Sequence, residues 1–282
     1  MKLLQEWTVK IPQHKYAINA SLLGDLSVLA WSNLGYWQAG QTDYVGACQQ
    51  LADHLAESVH LNSKDKLLDL GCGQGASLSH WQQHYQVQYL AGVELQAAHV
   101  SNIQQYLSDL NAIYCASFLR LKEMHFPQKF DVVLCIDAAY HSPLDLFLDN
   151  ICSTLNSKAR IGFHYLIWSD AWQHLNLFQK KKYQLALKLA DVDARNLSTE
   201  FEFKSILEHF EFKNIQIQDL SEQVFSGFAH YVDQHLNLKE HKQENAAFKL
   251  DKFKIQMTAK LCRKLFKEGV VRYVQVTAEK SN

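Results

Sequence analysis

The residues best placed to do chemistry in this chain are one aspartate, three glycines and a later glutamate. The stretch LLDLGCGQGAS is an apolar run that ends at Asp69 and continues through Gly71, Gly73 and Gly75. Glycine accepts positive φ angles and leaves room for a ligand to contact the backbone. Glu94 follows Gly73 by 21 residues, at the end of the next predicted strand. A carboxylate there can accept hydrogen bonds from both hydroxyls of a ribose, so the spacing predicts a ribose-containing ligand.

Two classes of ligand fit this turn, and Asp69 distinguishes between them. Gly71, Gly73 and Ala76 satisfy the looser GxGxxA form of a dinucleotide motif. A carboxylate beside a pyrophosphate is repelled, however, whereas beside an ammonium group it is attracted. Gly75 additionally lets the backbone approach the carboxylate end of a methionine. The turn therefore favours S-adenosylmethionine, with a nicotinamide dinucleotide and a turn that binds nothing as the alternatives.

Alternating strands and helices are predicted on both sides of this turn. Short apolar runs predict strands at 66–71, 89–94, 112–116, 130–137 and 160–167. Helical spacing predicts helices at 43–61, 76–85, 97–110 and 143–155. The later chain is predicted to hold helices within 169–211 and 221–266 and strands at 212–219 and 270–276. Such alternation indicates an α/β protein with a doubly wound parallel sheet, whose ligands bind at the carboxyl ends of the strands.

Several motifs together resemble those of the class I S-adenosylmethionine-dependent methyltransferases. These are LLDLGCGQG at 67–75, VEL at 93–95 and FDVVLCIDAAYH at 130–141. The segments NLGYW at 33–37 and DLSEQV at 219–224 are similar to the branch that contains tocopherol, sterol and small-molecule O-methyltransferases and the cyclopropane fatty acid synthases. The resemblance covers about residues 30 to 170. It implies a seven-stranded, mostly parallel, Rossmann-like sheet with an antiparallel seventh strand and a helical lid.

The resemblance also implies which residues hold the cofactor. The methionine moiety would lie among the residues of the glycine turn, which are Asp69, Gly71, Gly73 and Gly75. Glu94 would hold the ribose hydroxyls, and Leu95 would lie against the adenine.

Further cofactor contacts are implied outside the glycine turn. Ser117 and Phe118 occupy the place where such enzymes often have Asp-Ala, and a serine is a weaker partner for the adenine amino group. Ile136 and Asp137 would lie beside the sulfonium, and Tyr36 would close over the cofactor from the N-terminal segment.

Tyr140 and His141 follow the fourth strand and are the candidate catalytic residues. A methyl acceptor that is a hydroxyl needs a base, and histidine titrates in the right range. Tyr140 would bind the acceptor or support the sulfonium. The alternative for His141 is that it caps the next helix or orients the loop. No metal site is predicted, because His80 and His84 lack an HExxH pattern and are typical of a solvated helix face.

Composition limits which partners we expect the protein to bind and in which cellular compartment we expect it. The chain has 28 basic and 29 acidic residues among 282, which gives no basic face for nucleic acid. Its six cysteines form no CxxC pair, and neither a signal peptide nor a transmembrane run is recognisable, so we expect a cytoplasmic protein without integral membrane contact. The run Lys180–Lys182 is interpreted as a solvated helix face. A homodimer is possible.

The expected organisation is a core with helical additions. We expect an N-terminal helical cap at 1–62, a cofactor-binding core at 63–168, a helical lid insertion at 169–211, and the last two strands with further lid helices at 212–282. The expected function is S-adenosylmethionine-dependent methylation of a small, largely hydrophobic acceptor at O, C or N. The alternatives are an NAD-dependent oxidoreductase and a catalytically silent cofactor-binding module.

Overall fold

A single seven-stranded sheet forms the centre of the protein. The computed structural model describes residues 18–238 and 246–281, and the strand order is β3-β2-β1-β4-β5-β7-β6. The strands are β1 (Lys66–Leu70), β2 (Tyr89–Glu94), β3 (Ala112–Cys115), β4 (Phe130–Cys135), β5 (Leu155–Trp168), β6 (Phe212–Asp219) and β7 (Val271–Lys280). The first 17 residues of the expected cap, and residues 239–245 of the expected late helical stretch, lie outside the described residues.

Eight α-helices are described around the sheet, together with short 3-10 and π-helical turns. The helices are α1 (Tyr44–Ser58), α2 (Ala76–His80), α3 (Ala97–Tyr106), α4 (Leu144–Cys152), α5 (Leu177–Leu189), α6 (Glu200–His209), α7 (Gly227–Leu238) and α8 (Ala246–Glu268). Helix α1 packs tightly on β5, since a Cβ built at Gly162 would lie 3.0 Å from Leu55 Cδ1 and 2.9 Å from Val59 Cγ1.

The direction of the strands confirms the expected fold class. Strand β1 pairs in parallel with β2 on one side and with β4 on the other. Strand β7 lies between β5 and β6 and is antiparallel to both. The sheet is therefore doubly wound and mostly parallel, with the antiparallel seventh strand that the family resemblance implied. Because the order of the strands reverses at β1 and β4, their carboxyl ends border the crevice in which such sheets bind ligands.

Some element boundaries differ from the sequence-based expectation. The helix expected at 76–85 divides into α2 and a π-helical turn at Trp81–Tyr85. Helix α3 ends at Tyr106 rather than at residue 110. Strand β5 begins at Leu155 rather than at residue 160, because Leu155 pairs with Phe130 across a shift in register. That pairing depends on the neighbouring strand, so the local sequence does not reveal it.

The helices of the expected lid divide into two kinds. Helix α6 packs against β5 and β6 and so covers the sheet, as a crossover helix does. Helices α7 and α8 pack on each other, and α8 also contacts β7. No helix within the described ranges has the length and apolar character needed to cross a membrane. The four-segment organisation stays a prediction.

Candidate active site

A cleft of about 280 Å³ lies at the carboxyl ends of β1, β2 and β4. We call it the main cleft. It is bordered by the glycine turn, by the residues that follow β2 and β4, and by part of the N-terminal segment. The expected site residues that line it are Asp69, Gly71, Gly73, Glu94, Leu95, Ser117, Phe118, Ile136, Asp137 and His141. The strand order therefore gathers most of the predicted site in one place.

The glycines of the turn are required by two different kinds of contact. Gly71, Gly73 and Gly75 all have positive φ, at 67°, 56° and 95°. A Cβ at Gly73 would lie 2.9 Å from the Ser32 hydroxyl oxygen across the cleft. A Cβ at Gly75 would instead lie 2.6 Å from Ile103 Cγ1 of helix α3. Gly75 is thus needed for packing against α3, and the structure does not place it among the described residues that line the main cleft.

Asp69 is buried at the end of β1, with 1% of its surface exposed. The indole Nε1 of Trp81 donates a hydrogen bond of 2.8 Å to its Oδ2. Burial raises the pKa of Asp69 to about 6, although hydrogen bonds from Ser77 and Trp81 act in the opposite direction. A buried carboxylate with few compensating donors favours a cation nearby, and this supports an ammonium partner.

Glu94 connects the end of β2 to the glycine turn. Its Oε2 accepts a hydrogen bond of 3.0 Å from the amide of Gly73, and its Oε1 accepts one of 2.9 Å from the amide of Gln96. The ring Nδ1 of His99 lies 3.5 Å from the same Oε1. These contacts fix the carboxylate at the cleft wall. Each of its oxygens has a second lone pair with which to accept from a diol.

Asp137 is held by three donors, two of which come from distant parts of the chain. It has a φ of 53°, unusual for a residue other than glycine. Its Oδ1 accepts from the hydroxyls of Tyr140, at 2.7 Å, and Tyr273, at 3.1 Å. Its Oδ2 accepts from the amide of Leu34, at 2.9 Å. Burial raises the pKa of Asp137 to about 6. The side chain therefore joins β4, β7 and the N-terminal segment at the edge of the cleft.

The N-terminal segment contacts the main cleft through residues other than the one expected. Trp31, Ser32 and Asn33 line it. Tyr36 is not among the described residues of the cleft wall, because its ring stacks on His54 with a centroid distance of 5.0 Å. The role of Tyr36 in closing over the cofactor stays a prediction.

Tyr140 and His141 are placed differently from each other. Tyr140 is buried, with its hydroxyl on Asp137 and its ring 6.4 Å from that of Tyr273, and it is outside the described cleft lining. His141 lines the main cleft and also a second cleft of about 550 Å³. Its Nδ1 lies 3.0 Å from the carbonyl oxygen of Asp191. Because a carbonyl oxygen only accepts, Nδ1 carries the hydrogen in this contact.

The residues expected near the adenine also line the main cleft. Leu95 is 58% exposed. The Ser117 hydroxyl accepts from the amide of Leu119 at 3.2 Å, so it caps the 3-10 turn that follows. The ring of Phe118 packs edge-on against Phe147, 5.7 Å away. The weak adenine partner expected at Ser117 is therefore also engaged with its own backbone.

Sequence reasoning missed three contributors to this site. Trp81 holds Asp69, Tyr273 holds Asp137, and Ser32 faces Gly73. For Trp81 the sequence does contain a signal, because the residue lies on the helix that follows the glycine turn. One face of that helix must pack toward β1. Tyr273 comes from the last strand and Ser32 from an irregular segment, so their positions depend on tertiary packing alone.

The family described as "Methyltransferase domain" matches residues 67–158, which include the glycine turn, Glu94 and the loop after β4. The chain is 30% identical over 115 residues to the erythromycin 3''-O-methyltransferase of Saccharopolyspora erythraea, covering 40% of this chain and 38% of that protein. It is 28% identical over 112 residues to the 27-O-demethylrifamycin SV methyltransferase of Amycolatopsis mediterranei, covering 39% and 41%. The matched region spans about two fifths of each relative's length.

Solved structures share the fold over nearly the whole chain. The cyclopropane synthase MmaA2 of Mycobacterium tuberculosis has a TM-score of 0.72 at 15% identity, with 95% of each chain covered. The geranyl diphosphate C-methyltransferase of Streptomyces coelicolor A3(2), solved in complex with S-adenosyl-L-homocysteine, has a TM-score of 0.67 at 14% identity, with 93% of this chain and 92% of that chain covered. At these identities the likeness shows the fold alone. Residues 67–158 thus carry a methyltransferase domain whose cofactor is S-adenosylmethionine, within a fold that solved methyltransferases share.

Proposed function

We propose that this protein transfers a methyl group from S-adenosylmethionine to a small, largely hydrophobic organic acceptor. The observation that carries the proposal is the pair of hydrogen bonds by which Glu94 holds Gly73 and Gln96 at the main cleft. They hold the carboxylate that we propose for the ribose beside the glycine turn, in the same cleft as the buried Asp69. A dinucleotide fits less well, because its pyrophosphate would lie near that carboxylate.

In this proposal, different residues of the main cleft bind different parts of the cofactor. Asp69 attracts the ammonium group, and Gly71 and Gly73 leave space for the methionine chain. Glu94 accepts from the ribose hydroxyls, and Leu95 covers one face of the adenine.

The other expected contacts have narrower roles. Ser117 and Phe118 border the adenine, and Ile136 lies near the sulfonium. Asp137 acts on the cofactor through the N-terminal segment that it holds.

The cofactor supplies an electrophilic methyl group, and the protein aligns the acceptor with it and excludes water. His141 is proposed as the base when the acceptor is a hydroxyl. With the hydrogen on Nδ1, the lone pair of the neutral ring is on Nε2, which takes the proton as the oxygen–carbon bond forms. Tyr140 is proposed as a positioning residue, since its hydroxyl is bound to Asp137.

The acceptor atom is open between oxygen, carbon and nitrogen. The erythromycin 3''-O-methyltransferase is named for transfer to oxygen, and the geranyl diphosphate C-methyltransferase for transfer to carbon. The loop that carries His141 lies between the main cleft and the second cleft. An acceptor in the second cleft would therefore have its reactive atom near the cofactor.

Titration calorimetry with S-adenosylhomocysteine and with NAD tests the cofactor. We expect tight binding of the first and none of the second. Glu94→Gln should weaken S-adenosylhomocysteine by on the order of 1–3 kcal/mol, the range for losing charge-assisted hydrogen bonds. Glu123→Gln is the control, because Glu123 forms only an exposed ion pair with Arg120. Unchanged affinity in Glu94→Gln, or tight NAD binding, contradicts the proposal.

A labelled-methyl transfer assay tests the reaction. The acceptors would be hydroxylated macrocycles and isoprenoid diphosphates, the compounds for which the relatives are named. His141→Gln should lower kcat about 100-fold or more and remove the acid limb of its pH profile, with unchanged affinity for S-adenosylhomocysteine. A variant with the wild-type pH profile contradicts the role of His141. Cofactor binding without any methyl transfer would favour the silent binding module.

A further inference from the structure

Helix α5 presents an apolar stripe to solvent on the side that faces away from the protein. Phe178, Leu185 and Leu189 are 73%, 62% and 64% exposed. Their spacing of seven and then four residues places them along one side of the helix. The buried Tyr183 and Leu187 lie about 160° around the helix axis from that stripe. We call the three exposed side chains the α5 outer face.

The α5 outer face is bordered by lysines on both sides. By helical geometry Lys181 and Lys188 lie on one flank and Lys182 on the other, and all three are exposed. Lys180 points back, with its Nζ 5.3 Å from the ring centroid of Trp172. The helix has no acidic residue between Leu177 and Leu189, in a chain whose net charge is only −1. Three exposed lysines and no acidic residue of this helix therefore lie beside the apolar stripe.

We propose that the α5 outer face docks on the surface of an anionic phospholipid bilayer. Large apolar side chains flanked by lysines are the pattern of helices that lie in the plane of a membrane interface. The stripe would enter the boundary between headgroups and acyl chains, and the lysine ammonium groups would contact the phosphates. Lys181 and Lys182, which were expected to be solvated, are thus assigned to this contact, whereas Lys180 is not. It is peripheral and needs no membrane span.

A second apolar stripe, on helix α8, matches a membrane surface less well. Its Leu250 and Phe253 are 54% and 58% exposed, less than the side chains of the α5 outer face. Between them in the sequence lies Asp251, which accepts a hydrogen bond from Asn19 and pairs with Lys254. By helical geometry Asp251 lies about 100° around the axis from Leu250, outside the stripe, so the difference between the two helices is the smaller exposure of the α8 side chains. Helix α8 therefore serves as a control for α5.

Because α5 borders the second cleft, docking on a bilayer would affect how an acceptor enters that cleft. Gln184 and Lys188 of this helix line the second cleft, next to His141. A helix bound to a bilayer by its outer face would hold the mouth of that cleft beside the lipid. A hydrophobic acceptor could then enter without crossing bulk water. The docking itself does not depend on the proposed methylation, so it is tested without any measurement of activity.

Co-sedimentation of the full chain with lipid vesicles tests the proposal. We expect binding to vesicles of equal parts phosphatidylcholine and phosphatidylglycerol, weak binding to phosphatidylcholine alone, and a decrease with added salt. Changing the outer face by Phe178→Ser, Leu185→Ser and Leu189→Ser together should lower the partition coefficient at least about tenfold. Lys181→Gln with Lys182→Gln should reduce the preference for the anionic vesicles.

The matched control is Phe253→Ser with Leu250→Ser on α8, which should bind vesicles as the wild type does. Circular dichroism and S-adenosylhomocysteine binding confirm that each variant is folded. The proposal is overturned by absent wild-type binding to the anionic vesicles, by an unaffected outer-face variant, or by an equal loss in the α8 control. It is also overturned if the outer-face variant dissociates a dimer in ultracentrifugation while no form binds lipid, since the face is then an interface between copies of this chain.

Discussion

Three carboxylates border the main cleft, of which Asp69 and Glu94 are buried and Asp137 is half-buried, and no lysine or arginine pairs with any of them in the contacts described. Asp69 receives an indole, Glu94 two amides, and Asp137 two phenols and an amide. Burial raises the pKa of Asp69 and of Asp137 to about 6 in both cases. A ligand that carries a sulfonium and an ammonium would favour their ionised forms. The charge of the cleft is thus suited to a cationic cofactor.

Gly73→Ala should abolish cofactor binding while the fold survives. The new methyl group would meet the Ser32 hydroxyl at 2.9 Å and occupy the cleft, and the residue would keep a φ of 56°. The control is Gly269→Ala, because Gly269 has a φ of 62° and a Cβ there meets nothing within 4 Å. Both variants should lose similar stability in urea, on the order of 1 kcal/mol, from the positive φ. Only Gly73→Ala should lose affinity for S-adenosylhomocysteine in calorimetry. Equal affinity in the two variants contradicts the placement of the ligand.

The N-terminal segment acts as an element because side chains from three parts of the fold hold it. Leu34 donates its amide to Asp137, and Asn33 accepts from the hydroxyl of Tyr44 at 2.7 Å. Further upstream, the amide of Trp31 donates to Asp25 at 2.7 Å. With these contacts an irregular stretch forms one wall of the cleft. Strand β7 supports it indirectly through Tyr273 and Asp137.

Tyr273→Phe should loosen that wall from a distance. Loss of the hydroxyl removes one of three donors from the half-buried Asp137 and should cost on the order of 1–3 kcal/mol of stability. The substitution should also weaken the binding of S-adenosylhomocysteine several-fold, because the segment held by Asp137 lines the cleft. Tyr85→Phe is the comparison, since Tyr85 donates to Asp53, a carboxylate outside the described cleft lining. Urea unfolding and calorimetry on both variants separate the two effects, and an equal change in affinity argues against this linkage.

The sequence predicts elements well where a local pattern determines them. The apolar run of β4 and the turn after β1 are such cases, because burial on both faces and the need for positive φ leave direct marks in the residue types. The orientations of Tyr36 and Tyr140 are not determined locally. Tyr36 stacks on a residue of α1. Tyr140 turns toward the carboxylate of Asp137, whose backbone φ is positive. Only the assembled sheet decides such contacts.

At the scale of the molecule, the seventh strand joins helix α1 to the sheet. Gln275 of β7 donates to Ser58 of α1 at 2.9 Å, and its side-chain oxygen lies 2.9 Å from His54 Nδ1. The same oxygen is 3.4 Å from Nε2 of His164 on β5. The antiparallel placement of β7 was implied by family resemblance rather than by periodicity, which shows strands but not their neighbours. This buried polar group therefore could not be foreseen from the residues.

His164 should make the whole fold sensitive to acid. It is fully buried, and burial lowers its pKa to about 3 from the ordinary 6.5. The unfolded chain therefore takes up a proton as the pH falls below about 6.5, whereas the folded chain does not, so stability is lost in that direction. Between about pH 7 and about pH 5 the loss from this one group is roughly 2 kcal/mol. The carboxyls of Asp69 and Asp137 act in the opposite sense, because their raised pKa values let the folded state bind protons first.

A comparison of variants isolates the histidine, since the two aspartates are common to all of them. From about pH 7 to about pH 5, the change in the free energy of unfolding in urea should favour the folded state more in His164→Gln than in the wild type, by roughly 2 kcal/mol. His125→Gln, at an exposed position, should show the wild-type dependence. The Nδ1 of His164 has no hydrogen-bond partner among the described residues, so the substitution breaks no contact there. If the free energy of unfolding of His164→Gln changes with pH just as that of the wild type does, the ring is already charged or solvated in the folded protein, and the packing of β5 against β7 is looser than the structure shows.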